Sequence, residues 1–511
     1  MVVEESRREV EAWWRREQST LLLLFALQLL AFSYLYFLPI FTNHTFPNAQ
    51  LHDYPTFKTR AEGRWMSDLI LWAQGGSGVQ SFQMMLATLV QAANGLLLAD
   101  LVGVERRGPR FLLAALLCLY PPFIDFYAFT VEHLTFTLGT SFALVAALAL
   151  ARSRPSVPRL LLAAVGFGAS IACYQPNLGL VALLAIAVTL LRLARSTPGE
   201  PPPRPAAILR ELAVVLAAAL GGVALYWLSM RLTVTEWSPG RTHVNSVTVA
   251  WHQVQVAYGE TASYFYRGIP GLSRTGHLTV IALITLGIGG LLREVGRRAL
   301  WMVPLALGAV ALLPVALRFT YVVNELAWSD AGRILFPFGY CLFIFAGLSL
   351  RHRLVGPVVA VAVAGLLWSF LVFDTQQTNY AAYKTQRDVW WIGRICDRIE
   401  PLALPRGAAV PLVVVGYYPE LPVERFVRRP GKGIQLNTPA FETYRQVLIV
   451  NTFLGREAFR PATAAELAKA KQSMLGRKPW PAAESVYVVE GTVVVLLEEA
   501  TSSTEMTWTA G

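Results

Sequence analysis

Apolar runs long enough to cross a bilayer recur along this chain, and no water-soluble fold could bury them all. A bilayer core needs about 20 apolar residues per helix, within a range of roughly 17–25. Runs of that kind fall near residues 20–41, 80–104, 133–151, 211–230, 300–317, 333–350 and 354–373. Shorter or broken ones fall near 111–124, 160–173, 178–191 and 276–292. The expected fold is therefore a polytopic all-α membrane protein with about 11 transmembrane helices. Composition agrees: only 15% of the 511 residues are charged and 54% are hydrophobic, against roughly a quarter charged in soluble domains.

Arginines set the expected orientation. One set of alternate loops carries Arg7, Arg8, Arg15 and Arg16, then Arg106, Arg107 and Arg110, then Arg152, Arg154 and Arg159. The same side continues with Arg192, Arg195, Arg204 and Arg210, then Arg293, Arg297 and Arg298, and finally Arg351 and Arg353. By the positive-inside rule this side, with the N-terminus, faces the cytoplasm. An odd number of spans then leaves the C-terminal tail outside. Residues 1–19 form a cytoplasmic leader; 5–18 read either as an amphipathic helix with Trp13 and Trp14 at the interface or as a solvated stretch. The first run is too long, and too far from the start, for a cleaved signal peptide. Residues 192–210 are a Pro-rich cytoplasmic linker.

Residues 20–373 form the membrane domain, and 374–511 turn water-soluble in composition. There PLVVVG (411–416), RQVLIV (445–450), SVYVVE (485–490) and TVVVLLEE (492–499) read as strands. Gly491 turns the last pair, and 463–475 read as a helix with Thr463 as N-cap. A small α+β periplasmic domain is expected.

The net charge of +11 suggests nucleic acid, but the arginines are scattered singly through short loops and form no basic face. Cys118, Cys173, Cys341 and Cys396 have neither disulfide nor metal-ligand spacing. His243 and His252 lack metal-ligand spacing too, so no metal is expected.

Chemistry concentrates in the outward loops 42–68, 124–132, 174–177, 231–275 and 318–332. The first holds Asp53, Lys58, Arg60, Glu62, Arg64 and Asp68 between two apolar segments. Polar groups at a membrane edge are costly unless they have partners or work. The second is IDFYAFTVEH, with Asp125 and Glu132; CYQPN (173–177) is a polar break at Pro176; the last, within NELAWSDAGRILFP (324–337), leads to Arg333 at the mouth of a span.

These features resemble the serotype-converting glucosyltransferase II family, membrane enzymes of the GT-C superfamily that decorate bacterial O-antigen. The residues carrying the likeness are HDY (52–54), GRWMSDL (63–69), YPPFIDFYAFTVE (120–132), the Tyr174–Gln175 pair, Arg333, and TNYAAYKTQRDVWWIGRICDRI (378–399). Family members often show two adjacent acids in the first loop, where this chain has His52-Asp53. The resemblance implies a GT-C-like fold in the bacterial inner membrane. It implies an enzyme moving a hexose, glucose above all, from a polyprenyl phosphate to a surface-polysaccharide or lipid-linked glycan acceptor, with inversion. The lipid-linked donor is a cosubstrate and no cofactor is implied; membrane lipid, an upstream donor synthase and a flippase are the implied partners.

Physical argument points the same way. A phosphate leaving the anomeric carbon needs its charge neutralised more than it needs a proton, so one carboxylate acting as base suffices. Arginine suits phosphate because its planar fork binds two oxygens. Asp53 is the candidate base, or else caps a loop turn. Asp125 orients the acceptor or pairs with an arginine, and Asp68 reads as N-cap of LILWA. Lys58, Arg60, Arg64, Glu132, Tyr174 and Gln175 are candidate substrate- or phosphate-binding residues. Arg333 is a phosphate clamp or a snorkelling interfacial arginine. A polymerase or ligase using a lipid diphosphate is the alternative enzyme. A flippase would place charges within the spans and repeat its helices, neither of which is visible.

Overall fold

The computed structural model describes residues 2–38, 40, 54–74, 80–129, 132–151, 156–194, 204–236, 244–324, 334–351, 355–402, 404, 409–416 and 446–498. Two compact units emerge, and among the described residues the first comprises 2–37 and 54–375. Its helices are α1 (Val2–Ala31), α2 (Ser33–Phe37), α3 (Phe57–Glu62), α4 (Trp65–Ala73), α5 (Gln80–Val102) and α6 (Arg107–Cys118). A 3-10 turn, Pro121–Ala128, precedes α7 (His133–Ala151), α8 (Val157–Cys173), α9 (Asn177–Ala194) and α10 (Pro205–Thr233). Then come α11 (Val247–Ser263), α12 (Arg274–Arg298), α13 (Val303–Ala311), α14 (Leu313–Leu317), α15 (Phe319–Val323), α16 (Phe336–Arg351) and α17 (Gly356–Ile399).

Every apolar run identified in the sequence contains helix, as lipid demands of a backbone that must satisfy its own hydrogen bonds. Among the described residues seven helices are long and apolar enough to cross a membrane, and α6 with its 3-10 turn, bent by 49°, is an eighth if the pair counts as one span. The remaining runs are shorter helices, α8 and α16 with 17 and 16 residues, and α1, which breaks at Phe32 and resumes in α2. The chain is a multi-pass membrane protein. The leader and the start of the first apolar run form one helix: α1 runs unbroken for 30 residues, about 45 Å at 1.5 Å per residue.

The break at Pro176 forms as expected, between α8 and α9, because proline lacks an N–H and clashes with the preceding turn. Its carbonyl accepts from Thr320 Oγ1 at 3.2 Å. Two other segments that the arginine bias places outward depart from expectation. The one around Asp125, expected as a short turn, is a 3-10 helix whose eight residues are all buried. Within 231–275, read as a loop, lies α11, a helix that leaves Val247, Trp251 and Tyr258 exposed.

The second unit comprises, among described residues beyond 375, 376–402, 404, 409–416 and 446–498. After α17 it holds β1 (Val410–Val415), α18 (Gln446–Leu454), β2 (Phe459–Pro461), α19 (Ala464–Met474), β3 (Val486–Val489) and β4 (Thr492–Leu496). The sheet order is β2-β1-β4-β3, with β1 parallel to both neighbours and β3–β4 antiparallel. Glu490 and Gly491 turn that hairpin with φ of 45° and 77°, the left-handed pair a two-residue turn requires. Trp391, Ile392, Ile395 and Ile399 of α17 cover one sheet face, and Ala470 and Met474 of α19 the other. Thr463 caps α19 in a capping box with Glu466, as its sequence position suggested. RQVLIV is not a strand: Gln446–Leu454 is helical. A short buried β-branched run has no periodicity that separates the two states.

Candidate functional site

The first loop's charge enters the structure through a corner between two short helices. Thr56 caps α3, its Oγ1 accepting from the Lys58 N–H at 3.1 Å. Asp68 holds Thr56 in turn, accepting from its N–H at 2.7 Å and its hydroxyl at 2.6 Å. Asp68 is therefore not the N-cap of α4, which starts at Trp65, three residues before it. Gly63 turns the corner at φ 69°. Trp65 Nε1 donates to Ser229 Oγ at 2.8 Å, fastening the corner to α10.

Four charges meet there. Lys58 Nζ lies 3.1 Å from Glu132 Oε2 and 4.0 Å from Glu62 Oε2. Arg64 lies 3.1 Å from Glu62 and 3.6 Å from Glu132. Each cation thus touches both acids. Lys58, Glu62 and Glu132 are buried, and Arg64, with 13% of its side chain exposed, is the cage member nearest solvent. Glu132 arrives from the residue just before α7; Tyr174 and Gln175 arrive from the end of α8. The Arg64 guanidinium sits over the Tyr174 ring at 5.1 Å. Gln175 Nε2 donates to the Glu62 carbonyl at 2.7 Å and to Tyr226 Oη at 3.1 Å.

Buried ions are tolerable only when paired and hydrogen-bonded. Among the described residues two cations and two carboxylates pair here, which fixes charge at the helix ends. Arg64, the most exposed of the four, is the cation an anionic ligand would reach first, already oriented by its pairing with Glu62.

Of the residues singled out in the sequence, the structure thus gathers Lys58, Arg64, Glu132, Tyr174 and Gln175. Arg60 turns elsewhere, donating to the Pro55 carbonyl at 2.8 Å and pairing with Glu236 at 3.4 Å. Asp125 is fully buried in the 3-10 turn. It lies within electrostatic reach of Tyr264, whose phenol is pushed up chiefly by burial and further by that carboxylate. Asp53 and Arg333 fall outside the described residues. Among the described residues no group of three or more His, Cys, Asp or Glu is placed to hold a metal ion.

Two members were missed as site residues. Glu62 was visible only as loop charge, although its i,i+4 spacing from Lys58 on a short helix was a usable signal. Tyr226 sits in an apolar run, where one phenol draws no notice. A further acid, Asp374, follows the last apolar run; it is fully buried and, among the described residues, neither oxygen has a hydrogen-bond partner. A buried ionisable residue at such a position is a functional candidate.

Gly63 can be tested directly. A Cβ there would lie 2.7 Å from Met230 Cγ, and a left-handed residue bearing one costs about 1–2 kcal/mol. Gly63→Ala is expected to lower stability by that amount in chemical unfolding. No change would mean that the corner is not held at this angle.

Fold and site together define a class: a multi-pass helical membrane protein with a buried cage of paired charges at one end of its bundle. Residues 47–373, which include every cage residue, match the family described as Glucosyl transferase GtrII. The chain belongs to that glucosyl transferase family. Among solved structures it is similar to the archaeal oligosaccharyltransferase AglB from Archaeoglobus fulgidus, in complex with an inhibitory peptide and a dolichol-phosphate. That likeness has 12% identity and a TM-score of 0.34, and covers 84% of this chain but about 65% of that one. No curated protein matches the chain.

Proposed function

We propose that the protein transfers a glucosyl unit from a polyprenyl phosphate to a surface-polysaccharide or lipid-linked glycan acceptor, with inversion. Transfer takes place at the periplasmic face of a bacterial inner membrane. The observation that carries this reading is the cage of Lys58, Glu62, Arg64 and Glu132 inside the family-matched segment. The arginine bias supports the orientation, with the N-terminus cytoplasmic, about 11 spans and the C-terminal domain outside.

In this mechanism the acceptor hydroxyl oxygen attacks the anomeric carbon as the bond to the phosphate oxygen breaks. The electron pair leaves on the phosphate, and polyprenyl phosphate is the product. Lys58 and Arg64 neutralise that charge, held in place by Glu62 and Glu132, with Arg333 as a further clamp. Asp53 takes the hydroxyl proton, and Asp125 orients the acceptor. Tyr174 supports the Arg64 guanidinium over its ring.

The test is transfer by the purified protein from polyprenyl phosphate glucose, comparing wild type with Asp53→Asn. Loss of general-base catalysis should lower the rate about 10²–10⁴-fold. An unchanged rate would move the base to another acid, Asp125 or Asp374 first. Turnover of a lipid diphosphate donor with none of any monophosphate would replace this reading with a polymerase or ligase.

A further inference from the structure

At the opposite end of the bundle, α5, α7, α9 and α12 all terminate. Helix C-termini leave carbonyls without intrahelical partners, and this chain answers them with guanidinium groups. Arg351 donates to the Val102 carbonyl at 3.1 Å, Arg192 to the Leu150 carbonyl at 3.1 Å, and Arg298 to the Arg192 carbonyl at 2.8 Å. Beside these ends lies a cavity of about 440 Å³ whose lining includes Asp100, Arg192, Glu294, Arg297 and Arg351. Leu101, Leu148 and Leu191 supply apolar lining. It stands one full length of α7, 19 residues or about 28 Å, from the charge cage.

Its carboxylates are already matched. Asp100 accepts from Arg16 at 3.0 Å, Arg110 at 2.9 Å and Trp13 Nε1 at 3.1 Å. Glu294 accepts from Arg351 with both carboxylate oxygens at 3.0 Å. Arg192 has Glu211 at 3.7 Å. Arg297 is left over: no hydrogen bond or ion pair engages it among the described residues. A cavity whose described lining has surplus positive charge and leucine walls suits a lipid that is anionic at its headgroup and hydrocarbon beyond it.

We propose that this cavity binds the phosphate headgroup of an anionic phospholipid from the leaflet facing it, with the leucines against the start of the acyl chains. The choice of lipid rests on the orientation proposed above, since the cytoplasmic leaflet carries the negative surface potential that draws basic sites. Binding is read without turnover, so a failed transfer assay would leave this test standing.

Native mass spectrometry of the full-length protein, mixed in detergent with phosphatidylglycerol, phosphatidylcholine or a polyprenyl phosphate, gives the measurement. Wild type should retain phosphatidylglycerol at least threefold over phosphatidylcholine. Arg297→Gln should lose that excess while transferring glucose at the wild-type rate. Equal retention of the two phospholipids, or an excess that survives in Arg297→Gln, would overturn the proposal. So would displacement of phosphatidylglycerol by an equimolar polyprenyl phosphate, which would assign the cavity to the donor lipid instead.

Discussion

Lys58→Met is expected to destabilise the protein by about 3–5 kcal/mol and to abolish transfer, whereas adding Glu132→Met should restore the stability and none of the activity. The asymmetry reflects the way buried ion pairs behave. Removing one partner strands the other charge in low dielectric, while replacing both with apolar groups of similar volume is often neutral or stabilising. In Lys58→Met the two carboxylates Glu62 and Glu132 would lose the ammonium they share and keep Arg64 between them, at 3.1 and 3.6 Å. In the double variant Arg64 and Glu62 remain as a balanced pair. Unfolding in detergent reads the stability, and glucose transfer from polyprenyl phosphate reads the activity. If the double variant turned over within tenfold of wild type, Lys58 and Glu132 would be scaffolding and the phosphate would have to be met elsewhere. A single variant as stable as wild type would mean that the pair is hydrated.

The membrane part of this fold was legible because lipid imposes one rule on every span. A run of the right length must be helical whatever its neighbours do, so each apolar run could be read alone. Outside lipid that rule lapses. RQVLIV carries the same β-branched signal as PLVVVG, yet one is α18 and the other β1. Only the partners chosen by the tertiary fold separate them.

The site was half legible for a related reason. Lys58, Arg64, Glu132, Tyr174 and Gln175 could be named from loop position and family resemblance. Their arrangement could not, because Lys58 and Glu132 are 74 positions apart. Asp68 shows the cost of local reasoning: an acid near a helix start suggests an N-cap, but the helix begins earlier, and the carboxylate serves Thr56 across the corner instead. Glu62 shows the converse, a local spacing rule that would have found a site residue had it been applied to so short a helix.

Gly222→Leu is expected to cost transfer about 100-fold or more, although Gly222 touches no cage residue. A Cβ at that position would lie 2.6 Å from Phe167 Cβ, 3.0 Å from the Ala164 carbonyl and 3.1 Å from the Gly168 nitrogen. Backbone meets backbone there, as small residues permit between membrane helices, so α8 and α10 must part to admit a side chain. Overpacking of this kind costs about 1–3 kcal/mol in stability. The functional cost is larger because Tyr226 lies one turn further along α10. Its hydroxyl accepts from Gln175, and the same amide holds the Glu62 carbonyl, so separating the helices draws the Glu62–Arg64 corner out of register with Glu132. A misplacement of about 1 Å at a reacting centre costs on the order of 10²-fold in rate. Gly289→Ala is the matched control, since a Cβ there meets nothing within 4 Å, and it should leave both stability and rate unchanged. Should Gly222→Leu slow transfer no more than that control does, the cage does not depend on the spacing of α8 and α10.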